Sequence, residues 1–210
     1  MNGFGGNYSR TDGKIRAMPR MKLSRPTPSR PKRAPSTPPR AAEPPNKQPP
    51  LAAGELQAGD AAPELDLPAT SGGRISLRSL RGKAVVLYFY PKDDTSGCTK
   101  EACSFRDGIG EFRRRGAEIL GVSMDSLDSH HKFAGKFSLP FALLSDEDGK
   151  TCRAYGVYRK KSMYGREYWG IERSTFVIDP QGRLAAVYRK VKVDGHDQEV
   201  LQALARLPPA

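Results

Sequence analysis

The chain has 210 residues and carries 35 Lys and Arg against 23 Asp and Glu, a formal net charge of +12. That length admits one domain with an extension, or two small ones. No stretch approaches 18 consecutive apolar residues, which excludes a membrane-spanning helix, and no internal repeat is present.

Charge and proline are concentrated at the start. Residues 1–50 hold 11 of the 18 prolines, and 11 Lys or Arg against only Asp12 and Glu43, so nine of the twelve net charges sit there. Such a segment cannot bury enough apolar surface to offset its ordering entropy. Residues 1–52 are therefore expected to form a disordered basic Pro-rich tail, partly extended as polyproline II. A secretory signal is ruled out, because no apolar core follows the basic part. An organellar transit peptide fits the arginine content, but the prolines forbid the amphipathic helix such peptides form. A tether to nucleic acid or another acidic surface fits the charge; with only Phe4 and Tyr8 to stack, contact would be weak, salt-sensitive and unspecific. A solubilising extension is the remaining alternative. Residues 55–208, nearly balanced in charge, are long enough for a single well-buried domain.

In that domain Gly72-Gly73 marks a turn between short antiparallel strands, the second covering Arg74 to Leu77. Lys83 to Tyr90 reads as a strand, and its almost wholly apolar run from Ala84 implies cover on both faces. Pro91 ends it, and Asp-Asp-Thr-Ser-Gly supplies capping residues for a helix from Ser96 to Arg115. Ala117–Met124 is expected as a strand, Ser126–Phe137 as a helix, and Phe141–Ser145 as a short strand. Asp146-Glu-Asp148 before Gly149 reads as a solvated turn, since the ligand spacing of a calcium loop is missing. A short helix over Lys150–Tyr155 and a basic excursion from Tyr158 to Tyr168 follow. Arg173–Asp179 and Leu184–Val191 make a hairpin across Pro180-Gln-Gly182, and a helix over His196–Arg206 closes the chain. Strand, helix, strand, helix, hairpin, helix is the α/β order of the thioredoxin fold.

The chemistry concentrates where the apolar strand becomes a helix. Cys98 falls in the first helical turn, where unpaired N–H groups and the positive end of the macrodipole favour an anion such as a thiolate. Cys98, Ala102, Phe105, Ile109 and Phe112 form one apolar stripe, so Cys98 turns inward. Cys103 lies off that stripe among Lys100, Arg106 and Asp107, nearer the surface. Five helical residues give about 140° of rotation and about 7.5 Å of rise, hence roughly 8–9 Å between Cα atoms. A disulfide needs about 7 Å or less. Either the two never bond, or the first turns unwind during function. No C-x-x-C pair is present, which weighs against a disulfide reductase.

Pro91, Thr95 and Cys98 reproduce the Pro-x-x-x-Thr-x-x-Cys signature of the peroxiredoxins, which this chain resembles from about Leu56 to Leu207. Phe89-Tyr90-Pro91, the run from Ser138 to Asp146, Ala154-Tyr-Gly-Val157, and Gly170 to Asp179 resemble further family motifs. The second cysteine five residues on is similar to the peroxiredoxin Q, or bacterioferritin comigratory protein, subgroup. The resemblance implies a thioredoxin fold with peroxiredoxin insertions and a peroxidase acting on hydrogen peroxide and organic hydroperoxides. Cys98 would be the peroxidatic cysteine, becoming a sulfenic acid. Thr95 would set its hydroxyl against thiolate and peroxide, and Pro91 would shield the sulfenate from water. Arg173 would hold the thiolate and polarise the peroxide. Cys103 would resolve the sulfenate to an intramolecular disulfide, reduced by thioredoxin or a similar dithiol. The helix would then have to unfold locally in each turnover. A monomer in the cytoplasm, with no cofactor, no metal and no membrane partner, is the accompanying expectation.

Other residues attract plainer readings. Cys152 reads as a packing residue, although an odd thiol can pair between molecules. His130 and His131 lack the i, i+4 spacing of a helical metal site and read as surface histidines. Trp169 reads as filling the core edge. A non-enzymatic, chaperone-like binding protein using the basic tail stands as the alternative function.

Overall fold

The computed structural model describes residues 55–163 and 165–207; the basic segment 1–52 lies outside the described residues. The first strands of the described residues form a small antiparallel pair, β1 (Asp66–Pro68) and β2 (Arg74–Ser76), turned at Gly72-Gly73. At the centre stands a five-stranded sheet built of β3 (Ala84–Phe89), β4 (Ala117–Ser123), β5 (Ala142–Ser145), β8 (Ser174–Ile178) and β9 (Leu184–Arg189). Their order across it is β5-β4-β3-β8-β9. β3 is parallel to β4, and β4 to β5, while β8 is antiparallel to both β3 and β9. Helices α1 (Ser96–Asp107), α2 (Ile109–Arg114), α3 (Leu127–Phe137), α4 (Lys150–Ala154) and α5 (His196–Leu204) connect and cover it. No described helix is long and apolar enough to cross a membrane.

Every residue of β3 is buried, as its apolar run requires. The pleat sends alternate side chains to opposite faces. Val85, Leu87 and Phe89 join one core with Cys152, Tyr155 and Phe176, while Val86 and Tyr88 join the other with Cys98, Phe105 and Val200. Cys98 and Cys152 therefore belong to opposite faces of the sheet. Burial, and then the charge of Asp146, push the Cys152 thiol up, so it packs as a neutral hydrophobe. Tyr88 tilts against Phe105 of α1 at 5.0 Å between ring centroids and lies over Gly121 of β4. A Cβ on Gly121 would come within 2.7 Å of that ring, so the strand needs its glycine to let Tyr88 support α1.

Five expectations need correction. The helix over Ser96–Arg115 is broken at Gly108, which ends α1 and starts α2. The Phe112 ring packs on its bare backbone, 3.3 Å from where a Cβ would sit. The basic excursion is a regular antiparallel hairpin, β6 (Tyr158–Met163) with β7 (Arg166–Ile171). Trp169 stacks on Tyr158 from outside but stays 45% exposed, because the hairpin stands off the main sheet. Asp146 is buried, not solvated: it accepts the amides of Thr151 and Cys152 at 3.1 and 2.7 Å, capping α4. His130 is fully buried, whereas His131 lies on the surface.

Candidate active site

β3 delivers the chain to Pro91 at the end of the central sheet, and the loop to Thr95 turns it into α1. Thr95 is the N-cap, in an extended conformation at φ −91° and ψ 150°, and its carbonyl accepts the Thr99 amide at 2.8 Å. Its hydroxyl does not cap the helix as expected; it donates to the Lys92 carbonyl at 3.1 Å. The amides of Ser96, Gly97 and Cys98 thus have no acceptor within the helix, and the positive end of the helix falls on the turn that carries Cys98.

Cys98 is 2% exposed, on the inner face of the first turn with Ala102 and Phe105, as the stripe requires. Register brings the cation to it. Phe89 pairs with Ser174 across β3 and β8, so Arg173 enters β8 beside the point where β3 releases the chain. Arg173 Nη2 donates to Cys98 Sγ at 3.3 Å. A Cβ on Gly97 would sit 3.2 Å from that nitrogen, so the bare helix start lets the guanidinium reach the sulfur.

The other arm of Arg173 reaches a residue that the sequence reading passed over. Arg173 Nη1 donates to Glu101 Oε2, and Glu101 is 1% exposed with Oε1 lacking a partner. Burial pushes the Glu101 carboxyl up to about 7, partly offset by Arg173. Burial also works against the charge of Arg173, but Glu101 and Cys98 outweigh it and leave the guanidinium more firmly protonated. The signal was present: Glu101 lies three residues after Cys98, on the same helix face as Ala102 and Phe105.

Lys161 of β6 also approaches. Its ammonium donates to the Ile171 carbonyl, two residues before Arg173. Burial lowers it; Glu172 and Cys98 draw it up, while Arg173 works with burial. Pro91 and Thr95 are exposed at the mouth of the site. Cys103 is half-buried on the continuous helix α1, and all three cysteines are free thiols. Among the described residues no group of three His, Cys, Asp or Glu is placed to hold a metal.

The loop is tied down from behind. Asp93 is buried and accepts from Tyr90 Oη at 2.7 Å and Ser129 Oγ at 2.7 Å, with His130 Nδ1 at 2.8 Å. Burial works to raise the Asp93 carboxyl, but the hydrogen bonds from His130, Ser129 and Tyr90 outweigh it and hold it below its ordinary value.

Thus one thiol, one fixed cation and the amide end of a helix meet at a strand-to-helix junction, an arrangement suited to stabilising a thiolate and a developing oxyanion. Residues 58–187 match the model of the AhpC/TSA family. A putative peroxiredoxin bcp of Coxiella burnetii is 51% identical over 149 residues, 71% of this chain and 99% of that protein. Peroxiredoxin Bcp of Bacillus subtilis is 50% identical, covering 71% of this chain and 95% of its own. Peroxiredoxin Q of Xanthomonas campestris superposes with a TM-score of 0.65 at 48% identity, over 67% of this chain and 89% of that one. A related Xanthomonas campestris structure is described by its alkyl peroxide reduction activity. With Cys98 and Arg173 in contact on this fold, the chain belongs to the AhpC/TSA family and is a peroxiredoxin of the peroxiredoxin Q, or bacterioferritin comigratory protein, kind.

Proposed function

We propose that in this thiol peroxidase Cys98 is the peroxidatic cysteine, Cys103 the resolving one, and Arg173, Thr95 and Pro91 their partners. The contact between Arg173 Nη2 and Cys98 Sγ at 3.3 Å carries the reading. The Cys98 thiolate attacks the nearer oxygen of a hydroperoxide; the S–O bond forms as the O–O bond breaks, and the departing hydroxide or alkoxide takes a proton. Arg173 and the free amides of the first turn hold the negative charge as it moves from sulfur to oxygen. Glu101 fixes the guanidinium from its far side. The Thr95 hydroxyl gives its hydrogen to Lys92, so its lone pairs are free to accept from the incoming peroxide. Pro91, with no N–H to offer, shields the product sulfenic acid from water.

Cys103 then condenses with the sulfenic acid, releasing water and forming the Cys98–Cys103 disulfide. Both cysteines sit on the unbroken helix α1, five residues apart, so its first turns must open for the sulfurs to meet. Thioredoxin, or a similar dithiol, restores both thiols by two exchange steps. An intramolecular pair needs no second subunit, which supports a monomer. A cycle fed by a dithiol suits a reducing compartment such as the cytoplasm. The catalytic domain then spans 55–208, with 1–52 an accessory segment; the family match at 58–187 supports that division.

The test is NADPH consumption with thioredoxin, its reductase and either hydrogen peroxide or an alkyl hydroperoxide. Turnover by the intact chain and none by Cys98→Ser supports the assignment. Turnover surviving in Cys98→Ser refutes it.

A further inference from the structure

His130 is fully buried, carries hydrogen bonds at both ring nitrogens, and has no part in the chemistry above. Nδ1 lies 2.8 Å from Asp93 Oδ2 and Nε2 lies 3.2 Å from the Leu144 carbonyl of β5. Asp93 sits two residues before the N-cap Thr95 and five before Cys98. Its carboxylate also receives Tyr90 Oη and Ser129 Oγ, and its own amide donates to Asp125 Oδ2 at 2.9 Å. The next residue, Asp94, takes the left-handed φ of 54° that turns the chain, and Lys136 of α3 holds it at 2.6 Å. Every side-chain tie on the loop before Thr95 that involves Asp93 or Asp94 thus runs to Tyr90, to Asp125, or to α3 through Ser129, His130 and Lys136.

We propose that His130 is a positioning residue: through Asp93 it clamps the loop to α3 and β5, so that Thr95 and Cys98 return to the attacking geometry after each opening of α1. The clamp also marks where unwinding stops. An aspartate buried with three donors is costly to release, since each lost donor leaves charge without a partner in a dry site. The loop up to Asp93 therefore stays fixed while the segment carrying Cys98 moves. Removing the imidazole leaves the sulfur present but misplaced, and small misplacements in a reacting pair cost large factors in rate.

This inference rests on Cys98 being the peroxidatic residue, and its test separates the two. Sulfenic acid formation in the full chain is followed by rapid mixing with hydrogen peroxide and dimedone trapping. A wild-type chain that forms no sulfenate at Cys98 sinks the assignment of the site itself. With the wild type reactive, His130→Leu, which keeps the bulk and removes the donors, should slow that step by about tenfold or more. His130→Asn, whose amide can still donate to Asp93, should recover most of the rate. Reduction of the preformed disulfide by dithiothreitol should be unchanged, which a general loosening of the fold would not allow. Hydrogen exchange in the reduced protein should rise at residues 92–95 in His130→Leu alone. Ser129→Ala guards against misfolding of the leucine variant: it removes one donor, and a slower peroxide step at unchanged Tm supports the clamp. Wild-type rates in His130→Leu, equal losses in Leu and Asn variants, or an unchanged rate in Ser129→Ala where His130→Leu does not fold would overturn it.

Discussion

Arg173 Nη2 stands 3.3 Å from Cys98 Sγ although 75 positions separate the two residues. The sheet closes that distance. β8 runs antiparallel to β3, so the start of one strand meets the end of the other, and their flanking residues face a common site. The cation then touches sulfur on one side and Glu101 on the other.

Cys98→Ser should abolish peroxide reduction, because Cys152 lies on the other face of the sheet and Cys103, half-buried, stays outside the core that holds Cys98. Cys103→Ser should still consume one equivalent of peroxide and accumulate a sulfenic acid, seen by mass spectrometry as a single dimedone adduct. Full thioredoxin-coupled turnover in Cys103→Ser would remove it from the resolving role.

Arg173→Met keeps much of the stem but loses the charge and both directed donors. The second-order rate with hydrogen peroxide should fall by roughly two orders of magnitude or more, as for other preorganised oxyanion donors. Arg173→Lys should recover only part of it, since a point charge cannot reach sulfur and Glu101 together. Equal rates for lysine and arginine in stopped-flow measurements would show that charge alone suffices.

What the sequence made legible follows from what is local. The apolar run of β3, Pro91, the cap and the stripe through Cys98 and Phe105 are neighbours in the chain, so periodicity and end signals locate them. Glu101 and His130 were hidden for one physical reason. A charged or polar side chain is buried only when partners arrive to satisfy it, and theirs come from distant positions: Arg173 lies 72 residues from Glu101, and Asp93 lies 37 from His130. The hairpin of β6 and β7 was masked differently. Its lysines and arginines obscured an alternation in which Tyr158 packs at the edge of the core while Trp169 only stacks on Tyr158 and stays exposed.

Glu101 supplies a pH signature. Its carboxyl is pushed up from an ordinary 4.5 to about 7, chiefly by burial. The folded protein therefore holds this proton more tightly than the unfolded chain. The resulting stabilisation is complete below about pH 4.5 and is lost as pH rises through about 7. At about 1.4 kcal/mol per unit the swing is on the order of 3 kcal/mol as a ceiling. Glu101→Gln removes it, so the Tm difference between variant and wild type should move in the variant's favour from pH 5 to pH 8. The ratio of their peroxide rates should be flat below pH 5.5 and change across pH 7. A Tm difference independent of pH would show that Glu101 is ionised throughout.

Geometry sets the last prediction. Reduced, Cys98 and Cys103 share one unbroken helix, and their Cα atoms are roughly 8–9 Å apart on its surface, beyond the reach of a disulfide. If oxidation joins these two sulfurs, it must open residues 97–104, and with them the contacts of Cys98 and Glu101 to Arg173. Phe105, buried against Tyr88 and Phe112, anchors the downstream side. Amides of 97–104 should exchange slowly in the reduced protein and much faster after one equivalent of peroxide, while Ala84–Phe89 stays protected in both states. Equal protection at 97–104 would mean that the disulfide forms elsewhere. Cys152 is closed off on the opposite face of the sheet, so the remaining route joins two chains. That outcome would show as a dimer on non-reducing gels, lost in Cys103→Ser, and would replace the intramolecular cycle with an intermolecular one.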